Sequence, residues 1–339
     1  MRQLRVLALV NEDLVPPETM EGKSDKEIDE WKTEYDVITT LREMGHQVEV
    51  LGLSDDLTPI RESIRRRKPH VAFNLLEEFH GVVTYDQAIV SYLELMRQPY
   101  TGCNPRGMLI SKDKALSKKI FSFHRIPSPR FTVFPLGRKV VRPKKLHFPI
   151  FVKSVIDDAS LGISQASVVY DDRELAERVT FVHEHTLADA LAEEYVDGRE
   201  LYVGIVGNDR LQTLPIWELH FTKSEVPLIA TRKVKWDRNY QEKLGVKTEL
   251  AQGLAPEIEK QVTRICRRVY KALDLSGYAR MDLRMGQDGK VYVLEANANP
   301  NLAFGEDFAE SAEKAGLSYE DLLSKIIGLG MRYRAPWKN

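Results

Sequence analysis

From residue 4 to residue 102 the chain alternates short apolar runs with helical stripes. "LRVLALV", "HQVEVLGL" and "HVAFNLL" are nearly continuous apolar segments, the pattern of strands covered on both faces, and the short "PYTG" reads as a further strand. Between the first two lies "SDKEIDEWKTEYDVITTLREMG". Ser24 and Glu27 there form a capping box, Trp31, Tyr35, Ile38 and Leu41 mark one helical face, and Gly45 stops the helix. Such alternation predicts a parallel sheet with helices on its faces, whose ligands bind at the carboxyl ends of the strands.

The pattern then changes. "DKALSKKIFSFHRIPSPRF" is a helix running into a proline turn, and "FPIFVKS", "ISQASVVY" and "ALAEEYV" read as strands, with a helix from about Asp171. A D-G turn, Asp197-Gly198, leads into "RELYVGIVG". A long amphipathic helix follows from about Pro256, with Ile258, Val262, Ile265 and Val269 on its stripe, then a hairpin and two C-terminal helices. The expected division is an N-terminal α/β domain over 1–111, a central subdomain over 112–196 and a C-terminal subdomain over 197–339.

The hairpin "YARMDLRMGQDGKVYVLEANANPN" is the most informative stretch. With Asp288-Gly289 as a two-residue turn, Asp282 faces Glu295 and Arg280 faces Asn297. Strand parity puts these four on one face and Met281, Leu283, Met285, Tyr292, Leu294 and Ala296 on the core face. Facing carboxylates destabilise a sheet unless a cation joins them. Asp282, Glu295 and Asn297 offer hard oxygen ligands and no His or Cys, a set for Mg²⁺ rather than zinc. The competing reading pairs the acids with Arg280 and Arg284.

Composition narrows the partners. Hydrophobic content of 43% and charged content of 29% are those of a globular protein, and a net charge of -1 gives no pull toward nucleic acid or anionic lipid. The two cysteines, Cys103 and Cys266, are far apart, which fits a reducing cytoplasm. The opening "MRQLRVLALVNEDL" lacks a small-residue cleavage site and reads as a first strand. No apolar stretch approaches the ~18 residues of a membrane span. The basic run "RRRK" at 65–68 ends a short helix, where its charges are solvated and complement the helix dipole.

Neither G-x-x-x-x-G-K-[ST] nor G-x-G-x-x-G occurs, so phosphate binding would need other cations. Lys153 ends the apolar strand "FPIFVK", where a charge needs a partner, and Lys114 lies in "SKDKALSKK". The small residues of "DDASLGISQ" could fold backbone N–H groups over phosphates.

In this order "SKDKALSKKIFSFHRIPSPRF", "FPIFVKS…ASLGIS", "AEEYVDGRELYVGIVG" and "GYARMDLRMGQDGKVYVLEANANPN…AEKAGLSYEDLL" resemble the D-alanine–D-alanine ligases of the ATP-grasp superfamily. "FNLLEEFHG" and "PYTG" resemble that family's first-domain landmarks, and the likeness spans about residues 68–328. It implies an ATP-grasp fold: a parallel-sheet domain plus two antiparallel-sheet subdomains clamping ATP. It further implies a peptide-bond-forming carboxylate–amine ligase with ATP and Mg²⁺, or Mn²⁺ in its place, acting through an acylphosphate on small molecules, with a homodimer admissible. By position, Lys114 and Lys153 match phosphate-binding lysines, Glu193, Glu194 and Val196 the adenine-reading linker, and Glu200 the ribose carboxylate. Asp282, Glu295 and Asn297 match the metal ligands. Arg280 matches the arginine that offsets charge on the transferring groups, and Lys235 a lysine of the mobile lid.

The substrate-contacting positions depart as a group. The family's first glycine-rich loop carries a glutamate for the first D-alanine's amino group, and here stands "NEDLVPPETMEGKSDKE". Ala159 replaces a serine, with Ser160 next to it as the candidate for that catalytic and phosphate-facing place, and Trp236 replaces a tyrosine. Asn301 replaces a glycine, and Glu306-Asp307 replaces a serine-leucine pair that grips a carboxylate. Two acids there would repel a carboxylate, so the expected substrate is an amino acid or small peptide other than D-alanine, with an amine or cationic acceptor. A phosphotransferase, or a D-alanine–D-alanine ligase proper, is the alternative.

Overall fold

The computed structural model describes residues 3–156, 164–221 and 246–338. Strands β1 (Arg5–Asn11), β2 (Gln47–Leu53) and β3 (Val71–Asn74) form a parallel sheet in the order β2-β1-β3. Helix α1 (Asp25–Glu43) starts at the Ser24–Glu27 capping box, and α2 (Thr58–Arg67), α3 (Asp86–Leu95) and α4 (Pro105–Lys112) complete this region. The expected strand "PYTG" is reduced to one bridge, Ala72 to Tyr100, because the chain turns at Gly102, whose φ is +92°.

Helix α5 (Lys114–Phe123) leads to a four-stranded antiparallel sheet of β4 (Phe131–Phe134), β5 (Ile150–Ser154), β6 (Val168–Val169) and β7 (Ala190–Glu194), ordered β4-β7-β5-β6. Its core packs against α6 (Asp172–Thr186), which Asp171 caps. The expected strand "ISQASVVY" shrinks to Val168–Val169, since Gln165–Ser167 is a 3-10 turn.

The third sheet is antiparallel: β8 (Gly198–Val206), β9 (Gln212–Phe221), β10 (Val246–Leu250), β11 (Tyr278–Gly286) and β12 (Val291–Ala298), ordered β10-β9-β8-β11-β12. Helices α7 (Pro256–Ala272), α8 (Asp307–Lys314) and α9 (Tyr319–Arg332) accompany it. The α7 stripe residues Val262, Ile265 and Val269 share one core with Leu201, Val203, Met281, Leu283, Val291 and Val293, and that core continues to Leu7, Leu9 and Ala72 of the parallel sheet. Residues 197–198 therefore join two different sheets rather than closing a hairpin. No helix among the described residues is long and apolar enough to cross a membrane.

Candidate active site

The hairpin reaches the expected pairing by an unexpected route. Its loop has three residues, Gln287 to Gly289: Gly286 and Lys290 close it, and Gly289 takes the left-handed φ of +75° that a glycine allows. This shifts the register by one, so Met285 faces Val291. A bulge between Asp282 and Leu283, with Leu294 as the extra residue, restores it, and Asp282 faces Glu295 while Arg280 faces Asn297. The core face changes accordingly. Val291 and Val293 are buried, whereas Tyr292 and Leu294, expected inside, are only half-buried.

On the polar face, Arg280 grips Asp282 with two bonds, Nε to Oδ1 at 2.8 Å and Nη2 to Oδ2 at 3.0 Å. Its Nη1 donates to Asp307 Oδ2 at 2.8 Å, and its guanidinium lies 4.7 Å from the Tyr202 ring centre. Burial opposes the charge, but Asp282 and Asp307 hold the guanidinium well above its ordinary pKa. Next along the face, Arg284 Nη2 donates to Glu200 Oε2 at 2.7 Å, and the Tyr202 hydroxyl donates to Glu200 Oε1 at 2.9 Å. The arginine pairing considered from the sequence is thus present for Asp282, while Arg284 serves Glu200 instead.

Glu295 turns to the lysines. Lys153, at the end of β5, places Nζ 3.4 Å from Glu295 Oε2 and 3.2 Å from Glu193 Oε1; Lys114, the first residue of α5, comes within 3.9 Å of Glu295 Oε2. The Lys114 backbone N–H bonds Val155 O at 3.1 Å, which fixes the helix start against the end of β5. Glu193 pairs across the sheet with Phe151 and so lies diagonally beside Lys153. Burial alone would raise the Glu193 carboxyl, yet Lys118 and Lys153 hold it below its usual range. Burial would also lower the Lys153 ammonium, and Glu193 and Glu295 raise it above its ordinary value.

The remaining linker groups face elsewhere. Glu194 accepts from the His147 backbone N–H at 3.0 Å, and Val196 O lies 3.4 Å from Arg284 Nη1. Asn297 is exposed on β12. Lys235, Ser160, Ala159 and Trp236 lie outside the described residues.

Two contributors escaped the sequence reading. Lys118 is fully buried with Nζ 2.5 Å from Glu193 Oε2. Its signal was present, because Lys118 falls on the α5 face of Ala115 and Phe121. Asp307, expected from the sequence to repel a carboxylate, is instead neutralised by Arg280. Glu306 beside it is exposed, and lost hydration followed by the Asp307 charge raises its carboxyl pKa.

The donor set fits a hard divalent cation. Asp282 and Glu295 stand directly opposite with Asn297 two residues on, and each carboxylate keeps lone pairs beyond its present bonds. Among the described residues no three His, Cys, Asp or Glu side chains stand together so as to hold a metal by themselves; two carboxylates and an amide would leave a six-coordinate cation positions for water and phosphate.

Comparison with known proteins gives one consistent match. The family model described as D-ala D-ala ligase C-terminus covers residues 125–328. The chain is 30% identical over 264 residues to a D-alanine–D-alanine ligase of Desulfotalea psychrophila, spanning 77% of this chain and 78% of that one. It is 28% identical over 301 residues to the uncharacterised protein y4sG of Sinorhizobium fredii, 87% of this chain and 86% of that one. The solved D-alanine–D-alanine ligase of Bacillus anthracis superposes with a TM-score of 0.76 at 25% identity, covering 97% of this chain and 98% of that one.

Proposed function

The chain belongs to the D-ala D-ala ligase C-terminus family of ATP-grasp ligases, and from that membership we propose that it joins a carboxylate to an amine other than D-alanine, using ATP with Mg²⁺ or Mn²⁺. The observation that carries this reading is one polar face on which Asp282, Glu295 and Arg280 converge with Lys153 and Lys114. A carboxylate is a poor electrophile because oxide is its leaving group. Transfer of the γ-phosphoryl group gives an acylphosphate, which the amine attacks with loss of phosphate. Lys114 and Lys153 offset charge on the phosphates. Arg280 spends three of its five N–H donors on Asp282 and Asp307 and keeps two for the reacting oxygens. Asp282, Glu295 and Asn297 would hold the metal, whose chemistry is to draw charge from the phosphoryl oxygens. Glu200, fixed by Arg284 and Tyr202, is the ribose acceptor in this reading, and Glu193 to Val196 edge the adenine.

The amine preference rests on Glu306, which stands exposed at the start of α8. An anionic acceptor there would meet like charge. With ATP, Mg²⁺ and D-alanine as both substrates, phosphate release should be negligible, and amino-acid pairs with a cationic or amine acceptor should raise it. Efficient D-alanyl-D-alanine synthesis would overturn the substrate assignment while leaving the ligase chemistry intact.

A further inference from the structure

Lys118 takes no part in the chemistry proposed above, yet it is the most enclosed charge in the described structure, with 0% of its side chain exposed. Glu193 is shared. Its Oε2 lies 2.5 Å from Lys118 Nζ, and its Oε1 lies 3.2 Å from Lys153 Nζ. A carboxylate buried beside one lysine makes a complete, neutral pair, and a third charge in the same place adds a further desolvation penalty. An apolar side chain at 118 would pack between Ala115 and Phe121 without that penalty. Burial does pull the Lys118 ammonium below its ordinary pKa, and the carboxylate in contact opposes the loss of its proton.

The charge count shows what the third group does. Glu295, whose Oε2 lies 3.4 Å from Lys153 Nζ, would be engaged by the metal; of the remaining groups, Lys118, Glu193 and Lys153 together carry one net positive charge, and Glu193 and Lys153 alone carry none. We propose that Lys118 is a positioning residue that occupies one oxygen of Glu193, so that Lys153 is held in place without being neutralised and its charge stays available to the phosphates of a nucleotide. The proposal rests on the ATP-binding reading. Lys118 touches neither substrate nor metal and acts through Glu193. In its absence both Glu193 oxygens would turn to Lys153, and the strand end would face the phosphates as a closed pair.

A two-variant cycle tests this, read as the ratio of ATP to adenosine affinity by calorimetry with Mg²⁺ present. The ratio isolates the phosphate contribution from any change at the adenine. Lys118→Met should lower it by about tenfold or more, the scale of one charge lost near a phosphate at an intermediate dielectric. Adding Glu193→Gln removes the anion that has captured Lys153, so the double variant should return to within about threefold of the unmodified chain. A residue that only props up the fold would give a double variant no better than the single one, and that result overturns the proposal. So does a Lys118→Met ratio equal to that of the unmodified chain. Should Lys118→Met fail to fold, the double variant, which buries no orphaned charge, decides alone: a near-normal ratio supports the proposal and a low one refutes it. Failure of the unmodified chain to bind ATP would instead fault the nucleotide reading.

Discussion

Glu34 lies on the buried stripe of α1 with Trp31, Val37, Ile38 and Leu41, and burial, with Glu77 adding to it, raises its pKa from 4.5 to about 7. Between those two values the folded chain keeps a proton that the unfolded chain has lost. Stability therefore falls as pH rises from about 4.5 through about 7, by roughly 3 kcal/mol in all. Glu34→Gln removes that titration. Urea denaturation of the ligand-free chain should show the variant more stable than the parent at pH 8 by a large part of that figure, with the gain shrinking toward pH 5. An equal difference at both pH values would mean that Glu34 does not ionise in a buried setting. Single residues of the site were legible where strand parity governed them: Asp282, Glu295 and Arg280 follow from alternation, and Lys153 from a charge ending an apolar run. Lys118 with Glu193 and Arg280 with Asp307 were not, because each partnership joins elements far apart in sequence.

Elements were legible where caps and periodicity agreed, as in α1, α6 and α7. They failed where a local signal conflicted with the sheet. Strand β9 carries Pro215, which argues against a strand, but the register shift opposite Val203 and Ile205 leaves Leu214 and Pro215 facing Gly204 alone, so the missing N–H falls in a bulge. The hairpin errs in the same way. A three-residue loop and the Leu294 bulge cancel, so the facing pairs and the buried Met281, Leu283 and Ala296 were placed well, while Tyr292 and Leu294, between the loop and the bulge, were not. Gly198 shows how tightly β7 feeds β8. A Cβ there would lie 2.0 Å from Met285 O, with φ at +152°. Gly198→Ala must displace backbone beside Arg284 and Glu200, and the loss should reach ~2 kcal/mol or more. Thermal unfolding checks this; an unchanged midpoint would show that β8 and β11 can separate there at little cost.

The whole molecule places its parallel sheet firmly against the hairpin. Thr33 Oγ1 donates to Asn301 Oδ1 at 2.8 Å, Lys32 Nζ to Phe304 O at 2.6 Å, and Phe304 N–H to Asp36 Oδ2 at 2.9 Å, so α1 braces the segment that follows the metal-ligand candidates. Asn301, where the family has glycine, is thus a joint between the two regions. The central region reaches the hairpin from the other side, through Lys153 of β5 to Glu295 and through Pro127 O, in the segment between α5 and β4, to the Val293 N–H at 2.9 Å. The alternation of strands and helices announced the first region, and the hairpin announced the third. Their mutual bracing depends on contacts no local pattern encodes. What such a clamp should do is activate a carboxylate and pass it to an amine, and oxygen transfer reports that step. With the best substrate pair and the carboxylate labelled with ¹⁸O, one labelled oxygen should appear in each phosphate released, and release should require the amine. Unlabelled phosphate, or ADP formed with the phosphoryl group retained on a stable product, would contradict ligation through an acylphosphate.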